Sequence, residues 1–170
     1  MKKIAIEDVR VENNPLGVHS VRKPVSKAIK TTDFAMNYFE LKPGESFSGG
    51  IHTHHDQEEV FYVEEGTATF EVLARQVDGE EDEPNERAEI VVEAGEVIRF
   101  APGEFQTGVN TGEKTLVGWA FGAPGSHDWE ELESLIGCRE CGEETRHALE
   151  LTDEARFENT CKECGNTFTL

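Results

Sequence analysis

The chain has 170 residues, enough for one full domain and a small appendage, and a formal net charge of −19 from 16 Lys and Arg against 35 Asp and Glu. A surface of that sign repels nucleic acid and anionic membrane at ordinary salt, so neither is an expected partner. No apolar run approaches the roughly 20 residues of a membrane-spanning helix, and the opening residues carry no signal-peptide pattern, so a cytoplasmic protein is expected. The acidity is concentrated beyond residue 30. Residues 1–30 hold seven Lys and Arg against three Asp and Glu, and the rest hold nine against thirty-two. A Lys-poor acidic body suits concentrated salt, where self-repulsion is screened, and a halophilic source is the compositional expectation.

Residues 1–32 are polar and broken by Pro15 and Pro24. Residues 18–29 (VHSVRKPVSKAI) can hold an edge strand, so 1–33 is expected to be an N-terminal extension, an edge strand or dimer arm. From Phe34 the signal becomes β. Residues 34–41 (FAMNYFEL) end at a Lys42-Pro43-Gly44 turn. Residues 59–63, 67–73, 88–92, 96–100 and 115–121 read as further strands, punctuated by Gly66, Gly95 and Gly103. Many short strands with regular turn signals predict an all-β barrel or sandwich.

Residues 77–87 (VDGEEDEPNER) read as a solvated acidic loop without the spacing of a calcium loop. Ala123-Pro124-Gly125 ends the β region. Residues 126–136 (SHDWEELESLI) then predict a short helix capped by Ser126 or Asp128, with Trp129, Leu132 and Ile136 packing on the barrel. Gly137 is its natural C-cap, and a boundary falls there. The expected organisation is a barrel over 34–125, a short helix and linker over 126–137, and a second module over 138–170.

Residues 49–66, GGIHTHHDQEEVFYVEEG, hold three of the six histidines within four positions. On a strand, His52 and His54 point to one face. Glu59 opens the next strand, which is expected to run back antiparallel after the short HDQE connection and return its carboxylate to the pair. Two imidazoles and a carboxylate with open positions suit Fe(II), Mn(II) or Ni(II), and also Zn(II). His55 would pair with Thr53 in the alternative register, so it is expected in the turn beside the site. Glu58 is expected to face solvent, and His19, His127 and His147 read as surface residues.

This segment resembles the first motif of the cupin superfamily: an HxH pair, a glutamate and a glycine, here His52, His54, Glu59 and Gly66. The upstream Gly49 and Gly50 lie closer to His52 than that motif has them. Residues 95–110, GEVIRFAPGEFQTGVN, resemble the second motif through Gly95, Gly103 and Asn110, with the proline shifted to Pro102. The resemblance covers roughly residues 34–121. It implies a jelly-roll β-barrel and a metal held by His52, His54 and Glu59. The family's fourth ligand, a histidine, falls at Gln106, whose neutral amide is the poorer donor. Gln106 is therefore a fourth ligand or a hydrogen-bond contact to substrate or bound water.

The four cysteines form two CxxCG knuckles, Cys138/Cys141 and Cys161/Cys164, separated by 19 residues. Spacing and pairing favour zinc over disulfide or redox chemistry, with rubredoxin-like iron the runner-up. Residues 138–170 resemble a zinc ribbon. They carry four Lys and Arg against eight Asp and Glu, which favours a structural or protein-docking role over nucleic-acid binding.

The function expected is a metal-binding cupin that acts on or binds a small molecule in its barrel. The alternatives are a non-catalytic ligand-sensing or protein-interaction module, and a non-heme-metal oxygenase or sugar isomerase. A storage or structural barrel is a third class. Phe61, Phe70, Phe100, Phe105 and Trp119 are candidate core or pocket residues. A homodimer follows from the resemblance alone.

Overall fold

The computed structural model describes residues 1–74, 86–154 and 156–170. The acidic stretch 77–87 lies outside them, except for its last two residues.

The first strands and helix are β1 (Val21–Pro24), α1 (Val25–Ile29), β2 (Ala35–Leu41), β3 (His52–His54), β4 (Glu58–Glu65) and β5 (Thr67–Leu73). After the acidic stretch come β6 (Arg87–Glu93), β7 (Val97–Phe100), β8 (Gln106–Asn110) and β9 (Leu116–Ala123). The C-terminal strands are β10 (Leu132–Gly137), β11 (Glu144–Leu151), β12 (Phe157–Cys161) and β13 (Thr167–Thr169). They form two antiparallel sheets. One runs β1-β2-β9-β4-β7, and the other β13-β12-β11-β10-β3-β8-β5-β6.

Between the sheets lies a core of Phe39 and Leu41, Phe61 and Val63, and Phe70 and Val72, inward pairs at period two on their strands, joined by Phe100 and by Phe47 from the β2–β3 connection. Gly66, Gly95 and Gly103 adopt φ of 88°, 90° and 89°, a region glycine enters without steric cost. Their places in the two motifs are set by these turns. Trp119 is not core. It lies on the outer face of the five-stranded sheet against Tyr38 and donates its indole N–H to Glu64.

Residues 126–136 depart from expectation. The helix is replaced by a single 3-10 turn at Trp129–Glu131, capped by the Asp128 side chain, and then by β10. The helical spacing of Trp129, Leu132 and Ile136 is overridden because β10 pairs with β3 on one side and β11 on the other. The C-terminal strands thus continue the barrel's larger sheet.

Candidate functional site

His52 and His54 lie two apart on β3, and Glu59 lies on β4. These strands belong to different sheets, so the carboxylate meets the histidines across the interior. The antiparallel return expected from the sequence does not occur: β4 pairs with β7 and β9. Glu59 Oε1 is 3.8 Å from His54 Nε2, and Oε2 is 3.9 Å from His52 Nε2. Both separations fall within the roughly 4.2 Å that two ligands on one ion can span, given bonds of about 2.1 Å. His52 Nδ1 sits 3.0 Å from the carbonyl of Gly50. Donation there leaves the Nε2 lone pair facing the site, which is how ligand histidines are oriented.

Gln106, on β8, lies directly opposite His52. Its amide nitrogen donates to Glu59 Oε2 at 2.7 Å, and its buried oxygen has no partner among the described residues. Burial, reinforced by the neighbouring imidazoles, lowers the His54 pKa to about 3. Burial also raises that of Glu59, against the opposing pull of His52 and the Gln106 hydrogen bond. A neutral, lone-pair-bearing His54 is the form that ligates a cation.

His55 points away, its Nε2 3.4 Å from Glu133 Oε1, and Glu58 pairs with Arg99 at 2.7 Å. Of the other three histidines, expected on the surface, two are buried and His127 is half-buried. His19 is buried edge-on against Phe39, and His147 is buried near Phe168. His127 lies 4.6 Å, ring to ring, from His54, with its Nε2 buried and without a partner among the described residues. Sequence reasoning missed it because a lone histidine after Pro124-Gly125 has no partner spacing to betray its place.

Two cavities meet at the histidines. One, of about 600 Å³, enters between the N-terminal segment and the five-stranded sheet and includes Glu59. The other, of about 470 Å³, runs along the C-terminal strands and is largely apolar, with Leu132, Ile136, Leu149 and Phe157 among its walls. Leu132 and Ser134 oppose His54 and His52 directly, so they share their face.

The four cysteines also converge. Cys138 and Cys164 Sγ are 3.6 Å apart, and Cys141 and Cys161 Sγ 3.9 Å. A tetrahedron of 2.3 Å zinc–sulfur bonds has edges of about 3.8 Å. The amides of Gly142 and Gly165 close the knuckles by donating to the carbonyls of Cys138 and Cys161. The donor chemistry of both clusters fits a metal ion, and in each all ligand atoms lie within 4.8 Å of one another.

Residues 37–119 match the Cupin_2 family, described as a cupin domain. The fold is similar to a sugar phosphate isomerase from a cupin superfamily of Silicibacter pomeroyi, with 16% identity and a TM-score of 0.57, covering 99% of this chain and 92% of that one. It is similar to an uncharacterized conserved protein with a double-stranded β-helix domain from Klebsiella pneumoniae, with 16% identity and a TM-score of 0.54, covering 75% and 88%. It is also similar to the oxalate decarboxylase of Lactobacillus farciminis, with 18% identity and a TM-score of 0.55, covering 76% of this chain and 34% of that one. The chain thus spans about a third of the decarboxylase's length. At these identities the likeness is one of fold. No curated protein matches the chain. Residues 37–119 match a cupin domain, and the architecture is an all-β jelly roll of the cupin type.

Proposed function

We propose that this is a metal-dependent cupin in which His52, His54 and Glu59 hold one divalent ion, iron, manganese, nickel or zinc, inside the barrel. Cys138, Cys141, Cys161 and Cys164 hold a structural zinc. The observation that carries this reading is the convergence of two imidazole ε nitrogens and a carboxylate, from opposite sheets, at the junction of two cavities. Gln106 serves either as a fourth ligand, after turning its amide oxygen inward, or as the donor that holds Glu59 in place.

A bound ion would supply Lewis acidity, oxygen activation or a lowered water pKa. The chain's own residues do the rest. Glu59 is kept in position by Gln106, His52 is oriented by the Gly50 carbonyl, and the walls exclude water from a small-molecule substrate. The similar folds named as a sugar phosphate isomerase and an oxalate decarboxylase support an enzyme of this kind. The second reading, a non-catalytic ligand sensor, is favoured by the neutral Gln106 where a stronger ligand would otherwise stand.

Elemental analysis of the purified chain tests the reading. Two ions per chain are expected, one lost in His52→Ala/His54→Ala and the other in Cys138→Ser/Cys141→Ser. Wild-type protein that holds only the cysteine-bound ion after metal supplementation would sink the barrel assignment. Oxygen-consumption and turnover assays with the identified metal then separate enzyme from sensor.

We also propose a cytoplasmic homodimer. The support is the outward aromatic stripe of Tyr38, Tyr62, Trp119 and Phe121 on the five-stranded sheet, with Val97 67% exposed beside it. Sedimentation of Trp119→Arg, expected to be monomeric, tests it. The cysteine-bearing strands remain a candidate docking surface for a protein partner, tested by cross-linking in lysate with and without them.

A further inference from the structure

Glu59 and Phe61 alternate on the inward face of β4, and β9 opposes them with Gly122 and Ala120. Across β2 those two meet Ala35 and Asn37. Gly122, Ala120 and Ala35 leave room in the floor of the larger cavity, and the Gln57 side chain takes part of it over Gly122. On its far side β1 sets Arg22 directly opposite Phe39. Residues opposed in an antiparallel pair project from the same face. Phe39 is 3% exposed in the core, so Arg22 also points inward. It lines the same cavity as His52, His54 and Glu59.

The Arg22 guanidinium makes no hydrogen bond and no ion pair with any described residue. This is unexpected in a chain with 35 carboxylates. Glu12 lines the same end of the cavity, but Lys27 holds both its oxygens, at 2.7 and 2.8 Å. Burial pulls the Arg22 pKa below its usual value, and Glu12 opposes this only in part. A half-buried, unpaired guanidinium carries a desolvation cost that a charge-assisted partner offsets, and its planar fork fits an oxyanion.

We infer that Arg22 is an oxyanion-binding residue of this cavity, and that the ligand is an elongated small molecule with a phosphate or carboxylate terminus on Arg22 and oxygen donors at the barrel centre. The metal end of this placement rests on the function proposed above; the Arg22 end does not. Arg22 is three strands from β4 and in register with Val63, four residues from Glu59. The backbones are therefore about 14 Å apart across the strands, at ~4.8 Å each, and ~13 Å apart along them, so a two-carbon acid is too short to touch both.

The test is calorimetric titration of the full, metal-loaded chain with glycerol 3-phosphate, glutarate and, as the neutral control, glycerol. The expected result is saturable binding of at least one anion, no binding of glycerol, and affinity weakened roughly 10- to 100-fold in Arg22→Gln. Arg22→Lys, which keeps the charge and loses the fork, is expected between the two. Preference for glycerol 3-phosphate or for glutarate decides which oxyanion the site is built for. Equal affinity in Arg22→Gln overturns the inference, as does failure of both anions to bind wild type. Arg22-dependent binding by a chain whose barrel takes no ion would sink the metal reading and leave Arg22 standing. Two ions per chain with no Arg22-dependent binding would do the reverse.

Discussion

Leu132 of β10 lies directly opposite His54 of β3, so the C-terminal sheet is built onto the strand that carries both histidines. Glu133, the next residue, ties this junction down. It takes the ammonium of Lys162, from within the second knuckle, and faces His55, the residue after His54. One strand therefore touches both candidate metal sites.

The first prediction follows from that strand. If the four cysteines hold zinc as proposed, removing it takes away the largest contribution to the C-terminal module's folding, since structural zinc supplies on the order of 10–16 kcal/mol in small finger peptides. β10 would keep β3 as a neighbour and lose ordered β11. In Cys138→Ser/Cys141→Ser the barrel is expected still to load at saturating metal, but with affinity weakened roughly fivefold or more. Chelator competition measures this, and hydrogen exchange should quicken in β10 and β3. Unchanged barrel affinity would mean the two sites are independent.

Glu59→Gln is expected to stabilise the metal-free fold while abolishing barrel metal binding. The Glu59 side chain is 19% exposed, and burial raises its pKa above the ordinary value near 4.3. A carboxylate whose folded-state pKa is raised costs stability above its unfolded pKa, and the cost is complete once pH exceeds the folded value. At pH 7 the chelated variant should therefore melt higher than chelated wild type, by about 2–4 °C for ~1 kcal/mol. The gap should close below pH ~4. A lower melting temperature at pH 7 would contradict this account.

Much of the site was legible because it depends on short-range rules. The period of two on β3 put His52 and His54 on one face, and the positive-φ glycines marked the turns around them. What could not be read depends on tertiary pairing. β10 runs between two strands with both faces covered, so Glu133 and Ser134 are 5% and 8% exposed and the alternation that identifies a strand is lost. The sheet to which Glu59 belongs, the partial burial of His127 and the inward turn of Arg22 are likewise set by partners far away in sequence.

Glu133 should make the fold acid-sensitive. Burial alone would raise its pKa, but hydrogen bonds from Lys162 and His55 outweigh that and lower it. A depressed carboxylate contributes stability that is complete above its unfolded pKa, near 4.3, and is lost as pH falls through the folded value. Lys162 is 44% exposed, so screening limits the effect to about 1 kcal/mol. Urea denaturation should find Glu133→Gln weaker than wild type at pH 7, with the gap closing as pH falls through the folded value. A constant difference across that range would show that the loss is one of packing.

Gln106→His is the variant that most directly weighs the two roles of that residue. Gln106 is 1% exposed, opposite His52, and the imidazole of histidine has a similar volume. As a borderline nitrogen donor, histidine binds these divalent ions better than a neutral amide oxygen does. If Gln106 is a ligand position, Gln106→His should tighten barrel metal binding by about tenfold or more, read by competition with a chromophoric chelator. The same substitution removes the amide donor that reaches Glu59 Oε2 at 2.7 Å. Weaker binding in the variant would therefore place Gln106 as the residue that positions Glu59 and leave the ion to three protein ligands.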